Sequence, residues 1–211
     1  MKKTLEFFKT IGKLKNIQRR GILFYGFKDA DSATDHTFRL AIMAWVFGHG
    51  RKLDLAKLLK LALVHDICKV YTGDLTPYEG LFPKDKKSGY RLAWRWRRLS
   101  LKEKQKRYKE KFKKELRALK KLTSKLPDKV REDIFASWLD YQRLESPEAK
   151  FMVQLDGVEN LLEAFESWEQ NKKFPTLPWW EHADEVIHDK ALLDFLEEIE
   201  HKELGHHRKA K

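Results

Sequence analysis

The chain has 211 residues with 44 Lys+Arg against 32 Asp+Glu, a formal net charge of +12. Its 42% hydrophobic and 12% aromatic content excludes a disordered polyelectrolyte, and a single Cys excludes a disulfide framework or a cysteine-built zinc site and suits a reducing compartment. Apolar runs such as Leu61–Val64 fall far short of the roughly 18 residues a bilayer span needs, so the sequence reads as cytoplasmic, with no membrane partner.

In chain order, the apolar positions Leu5, Phe7, Phe8, Ile11 and Leu14 are interrupted by Glu6, Lys9 and Lys13. That pattern predicts an amphipathic helix over Met1–Lys15 and not the continuous apolar core of a signal peptide. Ser32 or Thr34 caps a helix through Phe38, Leu40, Ile42 and Trp45 to about Phe47, closed by Gly48 and Gly50. Asp54 to about Val70 reads as a central helix, apolar over a wide face, stopped by Thr72-Gly73-Asp74 and Thr76-Pro77. A loop rich in Gly, Pro and Lys follows to about Ser88. Leu101–Leu126 is a long lysine-rich helix with a thin stripe of Tyr108, Phe112, Leu116, Leu119 and Leu122. Pro127 breaks it, and a helix from about Lys129 to Tyr141 follows. Ser146-Pro147-Glu148 supplies an N-cap, a first-turn proline and an acid at the dipole end, a helix start. Phe174–Trp180, with Pro175 and Pro178, reads as a linker, and Asp189–Leu204 as a final amphipathic helix. The fold class is therefore all-α: one multi-helix bundle over 1–170, with a basic insertion at about 84–127, then a linker, C-terminal helix and basic tail over 171–211.

The charge is local. Lys84–Pro127 carries 19 Lys/Arg and 4 Asp/Glu, and the rest of the chain sums to −3. A basic run of this kind is suited to nucleic acid or an anionic membrane, or is simply a solvated helix face. Within it, Trp94 and Trp96 interleave with Arg91, Arg95, Arg97 and Arg98, which suits base stacking or packing equally.

One feature departs from packing alone: His65-Asp66 at the end of the most apolar helix. Adjacent helical residues point about 100° apart, so an ion at that edge can take an imidazole nitrogen and a carboxylate oxygen together. His36 and Asp156 are candidates to join them, Asp156 being an acid inside an apolar stripe, where a lone carboxylate is costly. Such a nitrogen and oxygen set suits Mn, Fe, Co, Zn or Mg. A hydrogen-bonded core His and a buried ion pair explain the same residues. His49, His182, His188 and His201 read as surface residues, Cys68 as a small buried hydrophobe, and Glu159 and Glu163 as surface acids in preference to supports for Asp156.

The wording around these residues resembles the HD-domain phosphohydrolases, of the branch related to 5′-deoxynucleotidases. Three blocks carry the resemblance: Ser32-Ala-Thr-Asp-His-Thr-Phe-Arg-Leu-Ala41, Ala62-Leu-Val-His-Asp-Ile-Cys-Lys-Val-Tyr-Thr-Gly-Asp-Leu-Thr-Pro77 and Ser146-Pro-Glu-Ala-Lys-Phe-Met-Val-Gln-Leu-Asp-Gly-Val-Glu159. The resemblance implies an HD-domain bundle and one divalent metal ion (Mn, Co, Fe, Zn or Mg) on His36, His65, Asp66 and Asp156. It implies Arg19 toward a substrate phosphate, Asp74 beside the substrate or attacking water, a nucleoside monophosphate substrate and a homodimer. Two positions depart from the family pattern. Ile22 replaces an aromatic residue, and Lys69 replaces the Glu that orients or deprotonates water in relatives. Three readings of Lys69 stand open: a phosphate contact with Asp74 as base, a lysine base, or a weakened enzyme that binds nucleotide or nucleic acid through its insertion.

Overall fold

The computed structural model describes residues 2–25, 27–77, 80–81 and 99–209, with side chains through 203. Its elements are α1 (Lys2–Ile11), a 3-10 turn (Gly12–Asn16), α2 (Arg20–Leu23), α3 (Ala33–Gly48), α4 (Leu55–Val64), α5 (Lys69–Thr72), α6 (Leu101–Thr123), α7 (Asp128–Arg143), α8 (Pro147–Gln170), α9 (Leu177–Val186) and α10 (Lys190–Lys209). Among the described residues the extended pairing is an isolated antiparallel bridge between Gln18 and Ser32, so the all-α expectation holds. No helix of the described residues is long and apolar enough to cross a membrane. Trp94, Trp96 and the arginines around them lie outside the described residues.

The chain divides into two compact units, Met1–Phe38 with Leu63–Leu139, and Arg39–Ala62 with Asp140–Lys211. In the first, the apolar stripe of α6 meets the turn after α4: Leu119, Leu122, Ile67, Cys68 and Trp138 form a buried cluster with Leu14 and Ala33. Phe112 stacks on Trp138 with ring centroids 5.4 Å apart. One stripe of α6 is thus held in the core while its lysines stay in water, which is why so charged a helix is stable.

The second unit is organised around α8. The Ser146 hydroxyl accepts the Ala149 N–H at 3.1 Å and Pro147 opens the first turn, as the sequence indicates. Leu155, Val158 and Leu161 of α8 are fully buried, and α9 and α10 pack against it. Gly157 permits that approach: a Cβ there would stand 2.8 Å from Val186 Cγ2.

Two expectations need correction. The helix expected over Asp54–Val70 is interrupted after Val64, and His65–Cys68 form a turn before α5. The hydrogen bonds there tighten to i→i−3, with Lys69 N–H donating to Asp66 C=O at 2.9 Å and Ile67 N–H to Val64 C=O at 3.3 Å. The expected linker Phe174–Trp180 already contains the start of α9. Pro178 lies in the first turn, where a missing N–H costs nothing, so the proline starts the helix.

Candidate metal centre

The position of His36 is set by a capping box. Ser32 Oγ accepts the Thr34 and Asp35 N–H groups at 3.2 and 3.3 Å, while Asp35 Oδ2 reaches back to the Ser32 N–H at 2.9 Å and its hydroxyl at 2.7 Å. Residues 17–19 run beside this start: Ala33 N–H donates to Ile17 C=O and Arg19 N–H to Asp31 C=O, both at 2.8 Å. Arg19 and His36 are thereby fixed to one piece of backbone, and both are buried.

His65, at the first residue past α4, meets His36. Their Nε2 atoms are 3.1 Å apart with the rings edge to face, and Asp66 Oδ2 lies 3.3 Å from His65 Nε2 and 3.9 Å from His36 Nε2. The imidazoles are 1% and 3% exposed, which leaves them little water to satisfy them. One neutral ring donating to the other meets part of that need. Two imidazole nitrogens and a carboxylate oxygen converging on one point also form a donor set that fits a divalent first-row ion or Mg.

Lys69 does not stand alone beside this group. Its ammonium bridges Asp66 Oδ2 at 2.6 Å and Asp74 Oδ1 at 2.5 Å, and it is buried. Asp74 Oδ2 accepts the Arg20 N–H at 2.7 Å, which ties the acid to the Arg19 segment. Gly73, at φ 67°, makes the left-handed turn that presents Asp74. Burial works against charge on Lys69, but Asp66 and Asp74 outweigh it and hold its pKa above the ordinary value. Burial likewise opposes charge on Asp74, and Lys69 and Arg19 together hold its carboxyl below the usual carboxylate range. The same contest keeps Asp66 well below it, with His65 and Lys69 prevailing over burial. Lysine is therefore the wrong state for a base here, and Asp74 is an ionised acceptor.

Sequence reasoning missed Glu115 of α6, a buried carboxylate paired with Lys111 at 2.7 Å. Burial raises its pKa, and Asp66 and Lys69 are near enough to act on it electrostatically. The Glu–Lys spacing reads as an ordinary surface pair, which is why the sequence hid it. Cys68 is buried, and burial pushes its thiol above the ordinary range, so the adjacent Lys69 does not make it reactive.

Asp156 belongs to the second unit. Tyr141 donates its hydroxyl to Oδ2 at 2.7 Å and Asn160 its amide to Oδ1 at 3.0 Å, so both carboxylate oxygens have fixed donors. Neither donor was anticipated, although Asn160 lies one turn from Asp156, a readable signal. Glu159 and Glu163, expected at the surface, are buried. Glu159 is held by Arg39, whose Nε and Nη2 lie 2.9 and 2.8 Å from Oε1, while Arg39 Nη1 grips Glu166. His49, His182, His188 and His201 are exposed, as expected.

A family model for the HD domain matches residues 11–182. The 5′-deoxynucleotidase HDDC2 of Homo sapiens is 32% identical over 162 residues, covering 77% of this chain and 67% of that protein. The Xenopus laevis protein of the same name is 31% identical over 172 residues, covering 82% and 73%. Among solved structures, a conserved hypothetical protein from Pyrococcus furiosus superposes with TM-score 0.65 at 20% identity, covering 93% of this chain and 98% of that one. A structure described as a predicted metal-dependent phosphohydrolase from Magnetospirillum magnetotacticum MS-1 gives 0.61 at 19% identity, covering 95% and 90%. At these identities the structural likenesses bear on the fold alone.

Proposed function

The chain belongs to the HD-domain family, and from that premise we propose that it is a metal-dependent phosphomonoester hydrolase that removes phosphate from (deoxy)nucleoside 5′-monophosphates. The observation that carries the proposal is the convergence of the buried His36 and His65 with Asp66 beside an ionised Asp74. His36, His65 and Asp66 would hold one divalent ion, with Asp156 as the fourth ligand that the family resemblance implies, and the ion would supply Lewis acidity and charge against the phosphate. Arg19 offers its guanidinium fork to phosphate oxygens. Asp74, held ionised, accepts a proton from or orients the attacking water. Lys69 acts as a fixed cation that keeps Asp74 in place and offsets phosphate charge. Its raised pKa supports that reading over a lysine base.

The test is phosphate release from a panel of ribo- and deoxynucleoside monophosphates with Mn²⁺ or Co²⁺, using wild type, Asp66→Ala and Lys69→Glu. Release by wild type, abolished in Asp66→Ala, supports the proposal. Release by Lys69→Glu alone overturns it in favour of a weakened enzyme. Two further readings accompany it. Homodimerisation is supported by α3, which exposes Phe38, Ile42, Trp45 and Val46 along one side, and light scattering of wild type against Trp45→Glu tests it. A cytoplasmic setting is supported by the buried free Cys68.

A second function, polyanion binding through the insertion, is favoured by one feature of α6. Lys102, Lys106, Lys109, Lys113, Arg117 and Lys120 are all exposed and recur every three or four residues, which aligns them along ~27 Å of one face. Leu119 and Leu122 on the apolar side of α6 are buried, and the exposed cationic stripe suits a nucleic-acid backbone.

A further inference from the structure

The bridge made by Lys69 has a consequence for how an ion enters the centre. In the first unit, the groups around the two imidazoles are Arg19, Lys69, Asp66 and Asp74, all buried or nearly so, and their formal charges sum to zero. Asp66 Oδ2, the oxygen nearest both imidazoles, is the same oxygen that Lys69 Nζ touches at 2.6 Å. An ion held by Asp66 would lie beside an ammonium anchored by two carboxylates. Lys69 is buried, its second anchor is Asp74, and Asp74 is itself tied to the Arg20 N–H. Counting Asp156, the fourth ligand proposed above, the unloaded centre would carry a single negative charge, and a bare divalent ion would turn it net positive.

We propose that Lys69 is a resident counter-cation that lowers the centre's affinity for a lone divalent ion and couples ion binding to binding of a phosphate dianion. This rests on the metal site proposed above and adds what the lysine does to it. A phosphate monoester brings two negative charges into a centre carrying Arg19, Lys69 and the ion. Each partner then lessens the electrostatic cost of the other, and linkage makes the effect reciprocal. With a carboxylate at position 69 the centre would be two charges more negative; the ion would bind alone and phosphate would add little. Lys69 is a positioning residue in this scheme, since it acts through Asp66 and Asp74.

The experiment is Mn²⁺ affinity by competition with a fluorescent chelator, with and without inorganic phosphate, on the full chain. Wild type, Lys69→Met, Lys69→Arg and Lys69→Glu are compared, each checked by circular dichroism. Lys69→Met is expected to bind Mn²⁺ at least tenfold more tightly than wild type without phosphate, and Lys69→Arg, which keeps the charge, to stay within threefold. Phosphate is expected to tighten Mn²⁺ binding at least fivefold in wild type and less than twofold in Lys69→Glu. Equal Mn²⁺ affinity in wild type and Lys69→Met, or equal phosphate effects in wild type and Lys69→Glu, overturns the proposal. Absence of Mn²⁺ binding in every variant instead refutes the metal site itself, so the two failures are distinct.

Discussion

Replacing Arg39 by Met is expected to cost far more than loss of an ordinary surface arginine. Glu159 is fully buried, and its Oε1 is met by two Arg39 nitrogens at 2.8 and 2.9 Å. At an effective dielectric of about 20, a charge pair at that distance is worth ~6 kcal/mol, and desolvation takes back a large part. Stripping a buried acid of its cation costs about 3–5 kcal/mol in comparable cases. The Glu166 contact adds little, because that carboxylate is 49% exposed. At roughly 2–4 °C per kcal/mol for a chain of this size, the midpoint should fall by about 6–20 °C. The assays are thermal melts for the midpoint and urea denaturation for the free energy, both followed by circular dichroism, on Arg39→Met, Glu159→Leu and the double variant. The double variant should recover most of the loss, since an apolar pair of similar volume replaces a buried ion pair at little cost. A loss below ~1 kcal/mol in Arg39→Met, or a double variant no better than the single, refutes the reasoning.

Acid stability follows from Asp74 and Asp66. Their folded pKa values lie below the ordinary 3.8, so the stability they contribute is present above about pH 4 and is lost as pH falls through the folded values. Lys69 works in the opposite direction: raised above 10.5, it contributes stability below that pH and loses it only in stronger base. Urea midpoints between pH 2.5 and 7 should fall toward acid, and Asp74→Asn should flatten that limb. Gly157→Ala places a methyl 2.8 Å from Val186 Cγ2 and should cost about 1–3 kcal/mol, partly relieved by Val186→Ala, read by thermal denaturation. Ser32→Ala removes the cap of α3 and should cost ~1 kcal/mol by the same measurement. If α6 binds a duplex through its stripe, the slope of log affinity against log salt should be no steeper than about −5. It should shrink by about 1 for each of Lys106, Lys109 and Lys113 changed to Gln, measured by fluorescence anisotropy.

The helices were legible where a local signal set them. Ser32, Ser146 and Pro147 mark starts by their own side chains, and the thin apolar stripe of α6 announced a half-buried helix despite its lysines. The errors arose where tertiary demands overrode a local rule. The apolar run through Val64 continues smoothly in sequence, but the polar groups of His65-Asp66 and Lys69 are satisfied by tightening the chain into i→i−3 bonds, which periodicity does not register. Pro178 read as a breaker because nothing in Phe174–Trp180 shows that a helix begins there. The Tyr141 bond to Asp156 and the burial of Glu159 against Arg39 join residues distant in sequence and had no short-range signature, whereas Asn160, one turn from Asp156, was readable. The lysine bridge was half visible: the unusual residue at position 69 stood out, but its hold on both Asp66 and Asp74 is a fact of the turn geometry.

The central claim, that this histidine and aspartate centre performs metal-dependent phosphate removal with Lys69 in place, is tested most directly by measuring metal content and phosphate release on the same samples. Chelated protein would be reloaded with graded Mn²⁺, bound ion quantified by mass spectrometry, and release of phosphate from a deoxynucleoside monophosphate followed at each loading. The account predicts at most one ion per chain, phosphate release that rises in proportion to it, and neither in a His65→Ala chain that remains folded. Phosphate release independent of bound ion, or one ion per chain with no release from any nucleoside monophosphate, would contradict it.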